Sequence, residues 1–396
     1  MFLPKGYRFT GVYSGVKVDP NKLDLSLLVS DLPAVAAGVY TSNLYCGAPV
    51  QVDRTRTPGT NIRAVVTNSG CANACTGERG VRDAEEMAAL AAATIGASRE
   101  QGLVMSTGVI GEFLPLEKIR TGIVKAGERL GNDQASFELA ARGMMTTDTR
   151  PKMASRQLTL ENGKVVSVAG MCKGAAMIAP NMATMLAVVF TDAMLPPEQA
   201  QSLLKTTVDD TFNCIAVEGH TSTSDTVLLL ANGAACPNVL GGVDFDKFAA
   251  AFAEVCAELA RAIPNDGEGI THLVTIEVTG CKDRETAKHI AKTIAEDSLV
   301  KTAIAGADPN WGRIVSAAGY CGAKFDTSKV SLHLNGFELF RDGTPQPFDD
   351  AAVSKSMRDN RDISIVLAFG EGDASIRFWT TDLTEEYVRL NADYRT

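Results

Sequence analysis

The chain has 396 residues, of which 45% are hydrophobic and 21% are charged, and its formal net charge is −9. This composition is typical of a globular protein, and an acidic chain without a long basic run is a poor candidate for binding nucleic acid or anionic membranes. No stretch approaches the roughly 20 apolar residues that a membrane span requires, and the first residues lack the apolar core of a secretory signal.

The nine cysteines and four histidines show neither a pairing nor a ligand pattern. Only Cys71 and Cys75 lie close together in the sequence, and no CxxC pair occurs. Free thiols are typical of a reducing compartment, so we expect a cytoplasmic location. No metal site is expected, because zinc sites need closely spaced Cys or His ligands.

In the first half of the chain, the clearest elements are one helix and one hairpin. Residues 83–95 predict a helix, with Asp83 as N-cap, Glu86 three residues later and Gly96 beyond its end. The apolar stretches 158–160 and 164–168 flank Asn162-Gly163, a pair that favours a two-residue hairpin loop with a type I′ turn.

The second half alternates strands with helices. Residues 185–191 predict a fully buried strand, and residues 244–263 predict a helix that ends before Pro264. Apolar and polar residues alternate over 274–279, which indicates a half-exposed strand, and residues 283–295 predict a further helix. These elements predict a mixed α/β protein with layered sheets. A composition shift near residues 280–282 predicts a smaller C-terminal unit over about 281–396.

The common catalytic signatures are absent, since the chain has no P-loop, GxSxG elbow, HExxH or GxGxxG motif. A nucleophile is better sought in the hydroxyl-rich segments, and Thr184 lies where a loop of small residues enters the buried strand. Cleavage between Ala183 and Thr184 would give Thr184 a free amine, with a reference pKa near 7.7–8.0, beside its hydroxyl. Such an amine can activate the hydroxyl of its own residue. The alternative is a strand-edge threonine that only caps a loop.

Seven motifs are spread over the whole chain. One is the segment KGAAMIAPNMATMLAVVFTDA, which contains Thr184, and the other six lie at residues 68–77, 106–111, 145–149, 221–226, 306–313 and 391–396. In sequence and in order they resemble the motifs of the ornithine acetyltransferase family, the glutamate N-acetyltransferases of the cyclic arginine pathway, and the segment around Thr184 is similar to the family's self-cleavage region.

The resemblance implies a fold and a processing step. The fold is a layered α-β-β-α sandwich similar to that of self-processing aminopeptidases, with a smaller α/β unit at the C-terminus. The precursor is cut between Ala183 and Thr184 into an α chain, 1–183, and a β chain, 184–396. The two chains stay together as one catalytic body and assemble as a heterotetramer of two α and two β chains.

The resemblance also implies a reaction. Thr184 takes the acetyl group of N2-acetyl-L-ornithine and passes it to L-glutamate, with Thr107 and Gly108 as the oxyanion hole. The positions that match substrate contacts in the family are Thr147, Lys173, Thr184, Glu268, Asn391 and Thr396. No cofactor is expected, and acetyl-CoA is a candidate second donor because bifunctional members of the family exist.

Each substrate contact has a physical role and a plainer alternative. Lys173 can meet a substrate carboxylate, or it is a solvated surface lysine. Glu268 can pair with the ammonium of ornithine, or it lies exposed in a turn. Thr147 can bond the substrate amide, or it only forms an ST-turn.

The sequence departs from the family pattern at three places and leaves rival functions open. The departures are Ala175-Ala176 for Ser-Gly, Ala179 for His and Glu218-Gly219-His220 for Asp-Gly-Asp. The main rival is a self-processing amidase or aminopeptidase that uses water as acceptor. A third reading is a binding protein that has lost processing, against which the intact Thr184 and Thr107-Gly108 argue.

Overall fold

A computed structural model describes residues 1–178 and 185–393 of the chain. Its strands are β1 (Tyr7–Val12), β2 (Leu25–Tyr40), β3 (Gly59–Cys71), β4 (Gly102–Val109), β5 (Lys152–Thr159), β6 (Val165–Lys173), β7 (Leu186–Met194), β8 (Thr226–Val239), β9 (Leu273–Cys281), β10 (Ser331–Leu334), β11 (Phe337–Arg341), β12 (Thr344–Pro345), β13 (Asp362–Ala368) and β14 (Ala374–Thr381). Its helices are α1 (Ala48–Arg54), α2 (Gly77–Ala93), α3 (Leu116–Gly127), α4 (Gln134–Met144), α5 (Pro197–Asp210), α6 (Gly242–Ala262), α7 (Arg284–Glu296), α8 (Ser298–Ala305), α9 (Trp311–Gly319), α10 (Asp350–Asp359) and α11 (Glu385–Asp393).

The larger sheet is held together by one long strand, β2. The strand order is β4-β3-β2-β8-β7-β6-β5, with β1 also paired to β2. The first part of β2 pairs with β1, its pairing with β3 continues as far as Ala36, and Val35 to Tyr40 pair with β8. Between these parts, Asp31, Leu32 and Pro33 are exposed and the β2–β3 register shifts. The strand therefore passes from one half of the sheet to the other at this point.

The two halves of this sheet face each other and form the inner layers of a sandwich. Leu28, Val65 and Met105 of one half share a core with Val188 and Leu230 of the other. The Phe9 and Phe190 rings meet across this core, with centroids 5.1 Å apart. A second core lies between the outer face of the first half and α1, α2 and α3, and a third lies between the second half and α5 and α6. The predicted α-β-β-α sandwich is confirmed.

A second sheet forms a unit of its own near the C-terminus. Its strand order is β12-β11-β10-β13-β9-β14, and α7, α8, α9 and α10 contribute to its core. In β9, Val274, Ile276 and Val278 are completely buried and alternate with partly exposed polar residues, as the sequence pattern predicts. Strand β9 enters this sheet at Leu273, before the composition shift near residues 280–282.

The predictions of local structure differ from the structure at two places. Helix α2 begins at Gly77, so Asp83 lies inside the helix and is not its N-cap. The earlier start is supported by Asn73, which accepts a hydrogen bond from the Thr76 hydroxyl and donates one to the Gly80 carbonyl. These contacts hold a glycine-containing first turn that propensity alone disfavours.

The hairpin between β5 and β6 has a longer loop than expected. Gly163 N donates to Leu160 O at 2.9 Å, and Leu160 N donates to Lys164 O at 2.8 Å. A type I′ turn needs positive φ at both central residues. Here Gly163 has φ +79°, whereas Asn162 is not in the left-handed region. The loop is therefore a turn followed by a glycine bulge.

The remaining predictions of local structure hold. Helix α6 ends just before Pro264, and the Asp283 side chain caps α7 by accepting from Thr286 N at 2.7 Å. Strand β7 is buried along nearly all its length, and the nine cysteines are free. None of the helices in the described ranges is long and apolar enough to cross a membrane.

Candidate active site

A cavity of about 190 Å³ lies beside the C-terminal ends of β4 and β6. Its walls come from both halves of the larger sheet, from the segment before β8 and from α11. The structure brings six of the predicted site residues together in its lining: Thr107, Gly108, Thr147, Lys173, Glu268 and Asn391. The predicted residues Ala183, Thr184 and Thr396 lie outside the described residues.

The Thr107-Gly108 pair ends β4 in a conformation that requires glycine. Gly108 has φ +131°, and a Cβ atom there would lie 2.3 Å from the Gly70 carbonyl carbon and 2.5 Å from Cys71 N. Backbone at this distance cannot accommodate a side chain. Thr107 is almost fully buried, at 1% exposure. A rigid pair that lines a cavity suits the stabilisation of a developing oxyanion, and this role remains a prediction.

Lys173 ends β6 on the facing half of the sandwich. It is 1% exposed, and its Nζ atom donates to Thr107 Oγ1 at 3.4 Å. Burial lowers the pKa of Lys173 from its ordinary value, although the nearby Asp148 carboxylate opposes this shift. Lys173 is therefore not the solvated surface lysine of the plainer alternative. A cation held in a cavity wall can bind the carboxylate of a small substrate.

An ionic network behind the cavity fixes the position of these groups. The buried Lys152 Nζ donates to Asp148 Oδ1 and to Asp266 Oδ2, both at 2.6 Å. Asp148 also accepts from Gly174 N at 2.7 Å and from Thr146 N at 3.0 Å. Although burial opposes it, the charges of Lys152 and Lys173 lower the pKa of Asp148 to about 2.

Two glutamates also line the cavity. Glu268 is half-buried, its backbone N donates to Ala175 O at 3.1 Å, and its Oε2 accepts from Asn391 Nδ2 at 3.2 Å. Glu218 Oε1 accepts from Ile178 N at 2.5 Å. Burial raises the pKa of Glu218 to about 8. The loop that contains Ala175 and Ile178 is thus tied to both carboxyl groups.

The chain is also anchored where β7 begins. Met185 N donates to Oδ1 of the fully buried Asp225 at 3.0 Å, and Thr226 N donates to Met185 O at 3.1 Å. Ser224, which directly precedes Asp225, lines the cavity. Burial raises the pKa of Asp225 well above its ordinary value. The residue that directly follows Thr184 in the sequence is therefore fixed next to the cavity wall.

Several lining residues were not assigned to the site from the sequence. The largest group lies in the segment before β8 and comprises Glu218, His220, Ser222, Thr223 and Ser224, and Thr146, Ala176, Met177, Ile110 and Tyr387 complete the lining. The run of hydroxyl residues before Asp225 was the available signal for the first group. No signal in the sequence indicated the Lys152 network, because Lys152 and Asp266 are 114 residues apart in the chain.

A layered α/β fold with a concave site of hydroxyl, ammonium and carboxyl groups at the ends of its strands defines an enzyme that acts on a small polar molecule. Comparisons with known proteins identify the family. The model of the ArgJ family matches residues 8–396. The chain therefore belongs to the ArgJ family, which confirms the resemblance that the motifs indicated.

Relatives match the chain from end to end. The arginine biosynthesis bifunctional protein ArgJ of Rhodopirellula baltica is 46% identical over 397 residues, which cover 100% of this chain and 96% of the relative. The protein of the same name from Geobacter sulfurreducens is 43% identical, with 99% of each chain covered. The crystal structure of the Bacillus halodurans ArgJ protein has 34% identity and a TM-score of 0.50, covering 51% of this chain and 96% of that chain.

Proposed function

We propose that this protein is a self-processing acetyltransferase of arginine biosynthesis, which moves the acetyl group of N2-acetyl-L-ornithine to L-glutamate through an acetyl ester on Thr184. One observation carries the proposal. Thr107, Gly108, Thr147, Lys173, Glu268 and Asn391, from widely separated parts of the chain, line a single cavity, and Met185 is anchored beside it.

Processing precedes the transfer. The Thr184 hydroxyl oxygen attacks the Ala183 carbonyl carbon, the peptide C–N bond breaks, and the proton of the hydroxyl passes to the leaving nitrogen. Water then hydrolyses the resulting ester, which leaves a carboxylate on Ala183 and a free amine and hydroxyl on Thr184. The solved Bacillus halodurans chain supports this step, because it is about half as long as the present chain, whereas the curated relatives match over their whole length.

The fold explains how the cleaved chains would stay together. Strands β2, β3 and β6 belong to the α chain, 1–183, and β7 and β8 belong to the β chain, 184–396. Strand β7 lies between β6 and β8, and β8 pairs with β2. The two chains are thus interleaved in one sheet and share its cores, so cutting the bond before Thr184 separates no layer of the sandwich.

The transfer uses the same hydroxyl and the new amine. The amine of Thr184 accepts the hydroxyl proton while the oxygen attacks the acetyl carbon, and the C–N bond to ornithine breaks as ornithine nitrogen takes up that proton. The amine nitrogen of glutamate then attacks the acetyl ester and restores the Thr184 hydroxyl. Thr107 and Gly108 stabilise the oxyanion in both steps.

The described lining supplies groups that match an acetylated amino acid. Lys173 binds the α-carboxylate, Thr147 bonds the amide and Glu268 pairs with the side-chain ammonium. Asn391 holds Glu268 in place through its 3.2 Å hydrogen bond, and the resemblance assigns a substrate contact to Thr396 as well. No cofactor takes part, and acetyl-CoA is a second acetyl donor, in keeping with relatives that are named bifunctional.

The assembly and location follow the resemblance and the composition. We place two α and two β chains in one heterotetramer, and we place the enzyme in the cytoplasm, as its free cysteines predict. Mass measurement under native conditions gives the assembly. A mass equal to that of one α and one β chain would contradict it.

The function is tested with purified protein in two steps. Denaturing electrophoresis and intact-mass measurement should show the 1–183 and 184–396 chains, and Thr184→Ala should remain one chain without transfer activity. Acetyl transfer from acetylornithine should depend on glutamate. Acetate release at a rate that does not depend on glutamate would instead identify a hydrolase. An active form in which residue 184 is still joined to residue 183 would refute the proposal.

A further inference from the structure

Glu218 has a buried oxygen atom that no described residue uses. Its Oε1 atom accepts from Ile178 N, whereas its Oε2 atom is buried without a hydrogen-bond partner in the part of the chain that the structure describes. The side chain lines the cavity together with Glu268. Because a buried polar atom without a partner costs free energy, a ligand group that reached this oxygen from the cavity would satisfy it.

This inference rests on the proposed function, which requires one cavity to bind two different amino acids. In a ping-pong reaction, the same site binds ornithine as the acetylated donor and then glutamate as the acceptor. The two amino acids have the same α-carbon groups, which Lys173 and Thr147 can bind in either case. They differ at the far end, where ornithine has an ammonium group and glutamate has a carboxylate. The Glu268 carboxylate, which pairs with the ammonium group, would repel the carboxylate of glutamate, so a second lining group that can donate to that carboxylate is needed.

We propose that Glu218 is a specificity-determining residue that serves both substrates by changing its protonation state. As a carboxylate, its Oε2 atom accepts a hydrogen bond from the ammonium group of the ornithine side chain. As a carboxylic acid, the same oxygen donates its proton in a hydrogen bond to the side-chain carboxylate of glutamate. One side chain thereby presents an acceptor to the cationic substrate and a donor to the anionic one.

The groups around Glu218 allow both its carboxylate and its carboxylic acid form near neutral pH. Burial raises its pKa to about 8 and Glu268 adds to the rise, whereas the Ile178 N–H, the Lys301 ammonium and the His220 N–H oppose it. Burial lowers the pKa of Lys301 to about 7, so this lysine is only partly charged where Glu218 titrates. Tyr387, whose pKa is raised to about 12, stays neutral. The other ionisable groups near Glu218 are His220 and Lys173 in the cavity lining and Glu296 beside Gly219.

Glu218→Gln separates this role from a structural one. The amide oxygen can still accept from Ile178 N, and the amide N–H can donate to a carboxylate, but the side chain never becomes an anion. In ping-pong kinetics, kcat/KM for each substrate reports that substrate's own half-reaction. We expect kcat/KM for acetylornithine to fall about tenfold, the size of one hydrogen bond to a charged group, while kcat/KM for glutamate changes less than about twofold.

The matched control is Glu296→Gln, because Glu296 is a half-buried glutamate next to Gly219 that does not line the cavity. It should change neither kcat/KM value. The pH dependence gives a second test. The ratio of wild-type to Glu218→Gln activity should rise through about pH 8 for acetylornithine and fall for glutamate.

The outcomes distinguish this inference from the proposed function. An equal loss in both half-reactions of Glu218→Gln would show a structural role, and no change in either would show that Oε2 meets no substrate. Both results overturn the inference and leave the acetyltransferase intact. Wild-type protein that transfers no acetyl group from acetylornithine would overturn the function, and this inference with it.

Discussion

Met185 N donates to the buried Oδ1 atom of Asp225 at 3.0 Å, which fixes the start of β7 to the segment that forms one wall of the cavity. Asp225 is preceded by three hydroxyl residues that line this wall: Ser222, Thr223 and Ser224. The residue that follows the proposed nucleophile in the sequence thus has a defined backbone position, and a nucleophile can attack efficiently only when its position is held.

Asp225 is expected to support processing through its shape and the oxygen that accepts from Met185 N, and not through a negative charge. Burial raises its pKa well above the ordinary value, so it keeps its proton at higher pH than an exposed Asp. Asp225→Asn preserves the acceptor for Met185 N and should process at nearly the wild-type rate. Asp225→Ala removes it and should slow processing about tenfold, as the loss of one buried hydrogen bond allows. A time course of chain cleavage on denaturing gels measures both, and equal rates in the two variants would contradict this role.

Gly108→Ala should destabilise the protein and abolish transfer. The added Cβ would lie 2.3 Å from the Gly70 carbonyl carbon, and φ at this position is +131°. We expect a loss of about 2–3 kcal/mol in the free energy of unfolding, measured by urea denaturation. Gly111→Ala is the matched control, because Gly111 also has a positive φ of +85° but no heavy atom within 4 Å of the added carbon. Similar losses in both variants would show that the close approach at Gly108 is unimportant.

Lys152→Met should be more damaging than the loss of an exposed ion pair. Lys152, Asp148 and Asp266 are nearly inaccessible, and replacing the lysine removes the cation that the two buried carboxylates share. Breaking a buried pair in this way costs about 3–5 kcal/mol. Arg8→Met is the comparison, since the side chains of Arg8 and Asp31 are 36% and 48% exposed and such pairs contribute less than about 1 kcal/mol. Denaturant unfolding at neutral pH measures the two losses, which should differ clearly.

Stability should depend on pH through His272. Its Nδ1 atom lies 2.9 Å from Asp382 Oδ2 and its Nε2 atom lies 3.1 Å from Met357 O, so both ring nitrogens face acceptors. The hydrogen bond with Asp382 raises the pKa of His272, although burial opposes this. A raised pKa in the folded state means that the stabilisation is fully present below the unfolded value of about 6.5 and is lost as the pH rises through the folded value.

The measurement is the free energy of unfolding of wild type and His272→Gln between pH 5.5 and 8.5. The difference between the two proteins should be largest at the acidic end and should shrink as the pH rises. A difference that grows with pH would show that the neutral imidazole is the stabilising form.

The sequence by itself determined the family and the layered α/β class, and it predicted six of the residues that line the cavity. Hydrophobic periodicity predicted α6, α7 and β9, each of which buries one face, and a continuous apolar stretch predicted β7, which is buried on both faces. The family resemblance predicted these six residues, Thr107, Gly108, Thr147, Lys173, Glu268 and Asn391, and the structure brings them into one cavity.

Only the tertiary structure decided how distant groups meet. The early start of α2 depends on the Asn73 side chain, and the unused Glu218 oxygen and the Lys152 network depend on packing between segments far apart in the chain. Local patterns fix elements because neighbouring residues share a helix or strand. The pKa values of buried groups such as Asp148 and Glu218, by contrast, are set by burial and by charged partners that only the folded chain brings close.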